Sequence, residues 1–165
     1  MKFRYNIIIL GLILLSTLPA FAFESTTVTK LKVGDIVPTG SFRTLSGDIT
    51  SIQNNAATLI SVFTTWCSVC KVELAHLNKD YAEIKEQKLP INMLVINAGE
   101  KKRKVKKYVR KRHLNMPVVM DRKLAWVKEL GITGTPTVLI VDKNGQLLYQ
   151  GNELPHNWVQ TLVSK

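Results

Sequence analysis

Only two of the 165 residues are cysteine, Cys67 and Cys70. So low a number excludes a multi-bridge disulfide scaffold and a cysteine-rich zinc site, which takes four ligands. No G-x-x-x-x-G-K segment is present to cradle a phosphate, and no G-x-S-x-G elbow to carry a serine nucleophile. Acids are scarce: 12 Asp and Glu stand against 23 Lys and Arg, a net charge of +11. Beyond the N-terminal segment no hydrophobic stretch reaches membrane-spanning length. No internal repeat or low-complexity linker divides the chain, so one domain is expected. With 45% apolar and 21% charged residues the composition is that of a globular protein, not a disordered one. What is left is a small basic protein whose distinctive chemistry is one close pair of thiols.

The start of the chain reads as an address. Lys2 and Arg4 precede the apolar run Ile7 to Leu18, and Ala20-Phe21-Ala22 fits a small-x-small cleavage site. Residues 1–22 are therefore read as a secretory signal peptide, with an uncleaved anchor as the alternative, and residues 23–165 as the folded domain. Either reading puts the domain outside the cytoplasm, with a bacterial periplasm as the expected compartment. Removing residues 1–22 takes away two bases and no acid, so the charge falls from +11 to +9. Exported proteins normally use cysteines for structural bridges. A bridge between Cys67 and Cys70 closes too short a loop to constrain much of the unfolded chain, so chemistry is the better use for the pair.

Residues 23–37 read as a leader, with Gly34 and Pro38 as breakers. A hairpin is expected within 41–52, around Ser46-Gly47-Asp48. Thr58 to Phe63 is a β-branched apolar run, hence a buried strand. From Cys67 the pattern changes: Leu74, Leu77, Tyr81 and Ile84 recur at helical steps and predict a helix over 67–87. A strand over 91–96, a helix over 101–113 and a short strand over 118–120 follow. Asp121 is expected to cap a helix ending near Leu130, with Gly131 beyond it. Asp142-Lys143-Asn144-Gly145 is a turn between two strands, and a helix over 155–163 closes the chain. The pattern gives an α/β fold: a central mixed sheet flanked by helices, with an N-terminal β-hairpin extension.

Cys67 falls where a buried strand ends and a long helix begins. Free backbone N–H groups and the helix dipole favour negative charge there, and a thiolate is such a charge. Cys67 is therefore expected to have a lowered pKa and to be the nucleophile. Cys70, one turn on and on nearly the same face, can resolve a mixed disulfide formed at Cys67.

Trp66-Cys67-Ser68-Val69-Cys70-Lys71 after an apolar strand resembles the thioredoxin superfamily. Gly134-Thr135-Pro136-Thr137 strengthens the likeness. The closer resemblance, over nearly all of residues 31–163, is to its TlpA-like (ResA-like) extracytoplasmic group. It rests on Val33-Gly34-Asp35-x-x-Pro38, Trp66-Cys67-x-x-Cys70-Lys71-x-Glu73, Pro117 to Asp121, Gly131-Ile132-x-Gly134-x-Pro136-Thr137 and Val141 to Gly145. The resemblance implies a thioredoxin-like fold and a cis Pro136 beside the thiols. It also implies that Thr135 offers backbone groups to a bound client peptide. The chain departs from the group with Ser68 and Val69 between the cysteines. Ser61 stands where thioredoxin has a buried aspartate, and the stretch just after Pro136 lacks the glutamate that the cytochrome c maturation subgroup carries there.

Other residues admit two readings each. Glu73 is a candidate proton acceptor through a water, or a surface acid near a helix start. Trp66 is a candidate for shaping the partner-binding surface, or a packing residue. His76 lies on the opposite helix face from Cys67, which argues against a metal site. Residues 101–113 hold nine Lys and Arg and no acid. They form either a solvated face or a contact for an anionic membrane surface or an acidic partner; export argues against nucleic acid.

The expected function is extracytoplasmic thiol–disulfide exchange. The pair Cys67/Cys70 reduces disulfides in exported client proteins, with no cofactor beyond its own redox-active disulfide and no metal. By resemblance, a membrane thiol transporter supplies the electrons. The alternatives are a disulfide oxidase or isomerase, or a copper(I)-binding thioredoxin-like module. A peroxidase would need Pro-x-x-x-Thr-x-x-Cys, and position 60 is isoleucine.

Overall fold

A computed structural model describes residues 26, 28–52 and 55–163. The segment read as a signal peptide lies outside the described residues. Five strands form the central sheet in the order β5-β4-β3-β6-β7: β3 (Ala57–Phe63), β4 (Ile91–Ala98), β5 (Val118–Asp121), β6 (Thr137–Val141) and β7 (Leu147–Gly151). β3 pairs in parallel with β4, and β4 with β5; β6 is antiparallel to β3 and to β7. The sheet is mixed, as expected.

The parallel half needs crossovers, and two helices supply them: α1 (Ser68–Glu86) between β3 and β4, and α2 (Lys102–Lys111) between β4 and β5. Their apolar side chains lie on one face of the sheet, where Leu74, Leu77 and Val105 join Phe63, Val95 and Val138 in one core. A right-handed hand for both connections puts both helices on one face. A short C-terminal helix, α4 (Trp158–Val163), adds Trp158 and Val159 to that core. Helix α3 (Ala125–Glu129) covers the other face, where Trp126, Val127 and Leu130 pack on Ile60, Val62 and Leu139. β3 is buried on both sides, which is why it reads as a continuous apolar run. Each such side chain taken wholly from water contributes about 1.5–3 kcal/mol.

Both sheet edges are covered, a usual defence against strand addition. The hairpin of β1 (Ser41–Arg43) and β2 (Ile49–Ser51) reaches β5, where the Leu45 N–H donates to Val118 O at 2.8 Å. Residues 28–37 behave differently from the expected leader. They dock along β7: Gly34 N–H donates to Leu147 O at 2.8 Å, and the Gln150 side chain accepts from Val28 and Thr29 and donates to Leu31 O. Val37 is wholly buried as a result.

A second correction concerns Asp121, which ends β5 instead of standing at the N-cap position. Leu124 takes that position in a left-handed conformation, φ 56°. The Asp121 carboxylate still supplies the caps, accepting from Ala125 N at 2.8 Å and Val127 N at 2.9 Å. The Asp142–Gly145 turn forms as expected, with Gly145 at φ 87°, a conformation that suits glycine.

Candidate active site

The reactive end of the molecule is where β3, β4 and β6 meet three loops. Phe63, wholly buried, ends β3 and fixes the direction of the chain into Thr64-Thr65-Trp66. Cys67 then takes the N-cap of α1. N-caps are usually Ser, Thr, Asp or Asn, whose oxygens accept from a free N–H of the first turn. Here a sulfur does so: the Cys70 N–H donates to Cys67 Sγ at 3.1 Å. No acid lies in the first turn to oppose negative charge, and Lys71 lies within it. The sulfur of Cys67 thus sits at the positive end of the helix dipole.

Cys67 and Cys70 form a disulfide with Cα atoms 5.3 Å apart. Cys70 is 1% exposed and Cys67 7%. The Thr135–Pro136 peptide bond is cis. It brings the Thr135 carbonyl oxygen to 3.6 Å from Cys67 Sγ and the Thr135 hydroxyl to 3.5 Å from that of Thr64. Trp66, 71% exposed, and Val69, 60% exposed, give this end an apolar rim. Val69, Thr135, Pro136 and Asn152 line a cavity of about 410 Å³ beside the disulfide-bearing turn. Cys67, Cys70, Trp66, Thr135 and Pro136 are thus gathered in one place.

Glu73 lies deeper on α1. It is buried, and one carboxylate oxygen has no hydrogen-bond partner among the described residues. It lines a cavity with Asp80, Leu154, His156 and Trp158. Burial, followed by repulsion from Glu153 and Asp80, raises its pKa to about 7, against a lowering contribution from a Leu154 backbone hydrogen bond. The folded state therefore holds a proton that the unfolded chain releases near pH 4.5. Stability carried by this group is complete below pH 4.5 and is lost as pH rises through 7. Solvent at the cavity mouth moderates the loss to about 1–2 kcal/mol. Glu73→Gln, which mimics the neutral carboxyl, is expected to match the unaltered protein at pH 5 and exceed it by that amount at pH 8. Urea denaturation at the two pH values checks this; equal differences at both would contradict it.

Two contributors escaped the sequence reading. Glu100, just beyond β4, turns its carboxylate toward the loop that precedes Cys67. It accepts from Thr65 N at 2.6 Å, from the Thr65 hydroxyl at 2.8 Å and from Asn97 Nδ2 at 2.8 Å, and it pairs with Lys104 at 2.7 Å. Burial would raise its pKa, but the hydrogen bonds from Lys104, Asn97 and Thr65 outweigh that and hold it at about 2. Asn97, wholly buried, also donates to Phe63 O at 3.4 Å. Together they tether the end of β3 and the reactive loop to β4. The visible signal was a lone acid abutting a basic run.

Ser61, in the middle of β3, is buried, and its hydroxyl has no partner among the described residues.

The Redoxin family model matches residues 32–161. Thiol-disulfide oxidoreductase ResA of Geobacillus thermodenitrificans is 28% identical over 155 residues, covering 89% of this chain and 87% of that protein. StoA from Bacillus subtilis superposes with a TM-score of 0.67 at 19% identity, over 77% of this chain and 97% of that one. The thioredoxin domain of a thiol-disulfide oxidoreductase from Bacteroides vulgatus gives 0.69 at 20% identity, over 81% and 99%. The last two likenesses concern the fold.

Proposed function

The chain belongs to the Redoxin family, as a ResA/TlpA-like thiol–disulfide oxidoreductase of the thioredoxin superfamily, and we propose that it reduces disulfides in client proteins outside the cytoplasm. The observation that carries the proposal is the Cys67 sulfur at the helix N-cap, held by the Cys70 N–H and facing Thr135. In the reduced protein the Cys67 thiolate attacks one sulfur of a client disulfide, forming a mixed disulfide and releasing one client thiolate. Cys70 loses its proton and attacks Cys67 Sγ, releasing the second client thiolate and leaving the Cys67–Cys70 disulfide. Two electrons pass to the client, whose two thiolates take up protons.

Glu73, three residues beyond Cys70 on the same helix, is the acceptor for the Cys70 proton in this reading; its pKa of about 7 suits transfer near neutral pH. The client lies as an extended segment against the Thr135 backbone and the apolar side chains of Trp66 and Val69. No cofactor enters the exchange. The chain has only these two cysteines, so regeneration needs an external dithiol. Resemblance to the TlpA-like group points to a membrane thiol transporter as the donor. The signal-peptide reading of residues 1–22 supports the location. Among the described residues no helix is long and apolar enough to cross a membrane.

Direction is tested by trapping thiols in the native cell. An oxidising compartment leaves a pair without an electron supply as a disulfide. A reductase is expected with Cys67 and Cys70 mostly as thiols, returning to the disulfide when the donor is removed. A pair that stays oxidised throughout growth would overturn the reductase direction in favour of an oxidase.

A further inference from the structure

Helix α2 carries more charge than its fold requires. Residues 101–113 hold nine Lys and Arg. Val105 is buried and Tyr108 and Val109 are half-buried against the core, whereas all nine basic residues are exposed. Lys104–Glu100 is the single ion pair among the described residues, so eight of the nine have no acid at ion-pair distance there. Like charges at helical spacing each cost a few tenths of a kcal/mol. A solvated face needs no such excess, since mixed signs keep a surface soluble.

The basic face begins beside the thiols. Glu100, which pairs with Lys104, is the carboxylate that holds Thr65, two residues before Cys67. Lys71, next to Cys70, and Lys79 lie on α1 and line a groove with Arg112 and Tyr108 of the neighbouring helical segment. Both helices follow parallel strands, so they run the same way and both start at the reactive end. The positive stripe therefore leads along the molecule from the redox pair. On α2 itself no large apolar residue is exposed to enter an acyl layer, as membrane-adsorbing helices require; the exposed Trp66, Val69 and Val72 lie at the thiol end, where the client binds.

We propose that this face is a docking surface for acidic polypeptide, selecting clients whose disulfide is flanked by Asp and Glu. The inference rests on the reductase reading and names the substrate class of the same site. Charge of this kind acts mainly on encounter, and oppositely charged partners associate about 10- to 1000-fold faster at low salt.

The test uses the purified reduced protein and two synthetic disulfide peptides, alike except for four flanking glutamates or four flanking lysines. Hydroxyethyl disulfide, which is small and neutral, reports the dithiol chemistry alone. At low salt the acidic peptide is expected to react at least about tenfold faster than the basic one, the ratio falling toward unity at 0.5 M salt. The triple variant Lys106→Glu, Lys107→Glu, Arg110→Glu, distant in sequence from the thiols, is expected to abolish or invert the preference while hydroxyethyl disulfide is reduced as before. The salt titration on the unaltered protein stands without any variant. Equal rates for the two peptides at low salt would overturn the docking proposal. Equal rates together with sedimentation on phosphatidylglycerol vesicles would overturn it in favour of a lipid surface. Failure to reduce even hydroxyethyl disulfide would overturn the reductase reading beneath it.

Discussion

Cys67→Ser is expected to abolish disulfide reduction, lowering insulin reduction at least about 1000-fold, the scale on which loss of a nucleophile is felt. The serine hydroxyl can accept the Cys70 N–H as the sulfur does, since serine is a favoured N-cap. The fold should therefore survive, and the loss is one of chemistry. Cys70→Ser should behave differently. The Cys67 thiolate remains, attacks the client and then has no partner to release it, so a mixed disulfide accumulates. Mass spectrometry of the oxidised mixture should find that adduct with Cys70→Ser and none with Cys67→Ser. The asymmetry follows from placement: Cys70 is 1% exposed and one turn inside the helix. An adduct trapped by Cys67→Ser instead would reverse the assignment of nucleophile and resolving thiol.

Much of this site is legible because its parts are local. A β-branched run, then a cysteine pair, then apolar residues at helical steps, can only be a strand, a turn and a helix. That Cys67 stands at the start of the helix follows from that order alone; the structure starts the helix one residue later, at Ser68, and makes Cys67 its N-cap. The cis Thr135–Pro136 bond became legible only through resemblance, since nothing local marks Thr135-Pro136 as lying beside a sulfur that is 68 residues from Thr135. Asp121 shows the limit of cap reasoning. The residue type was right, but a left-handed Leu124 moved the helix start downstream, and the carboxylate reaches it from the strand end. The segment 28–37 reads as a leader because its partners, Leu147 and Gln150, are more than a hundred residues away.

Glu100 is the sharpest case of information that is not local, and its removal gives the second large effect. Glu100→Ala would leave the Thr65 N–H and the Thr65 hydroxyl without their acceptor, the Asn97 amide with only its longer bond to Phe63 O, and Lys104 without its counter-charge. Stranding buried donors in this way costs about 3 kcal/mol. Glu100→Gln keeps one oxygen for Thr65 N–H and Asn97 but turns an amide toward Lys104, so about 1 kcal/mol is expected. The advantage of the unaltered protein over either variant should depend on acid. Glu100 titrates at about 2 in the fold and near 4.5 unfolded. Its contribution is therefore complete above pH 4.5 and is lost as pH falls toward 2, opposite in sign to that of Glu73. Urea midpoints from pH 7 to pH 3 measure both slopes. Reduction kinetics separate positioning from stability: under conditions where all three proteins are folded, Glu100→Ala should lower kcat/KM for insulin about tenfold and Glu100→Gln should restore most of it. Equal rates for the alanine variant and the unaltered protein would mean that the tether stabilises the fold without placing Cys67. A loss confined to the alanine variant would mean that the carboxylate acts through Thr65 on the sulfur two residues beyond, with the same contacts anchoring the first turn of the basic helix beside the thiols.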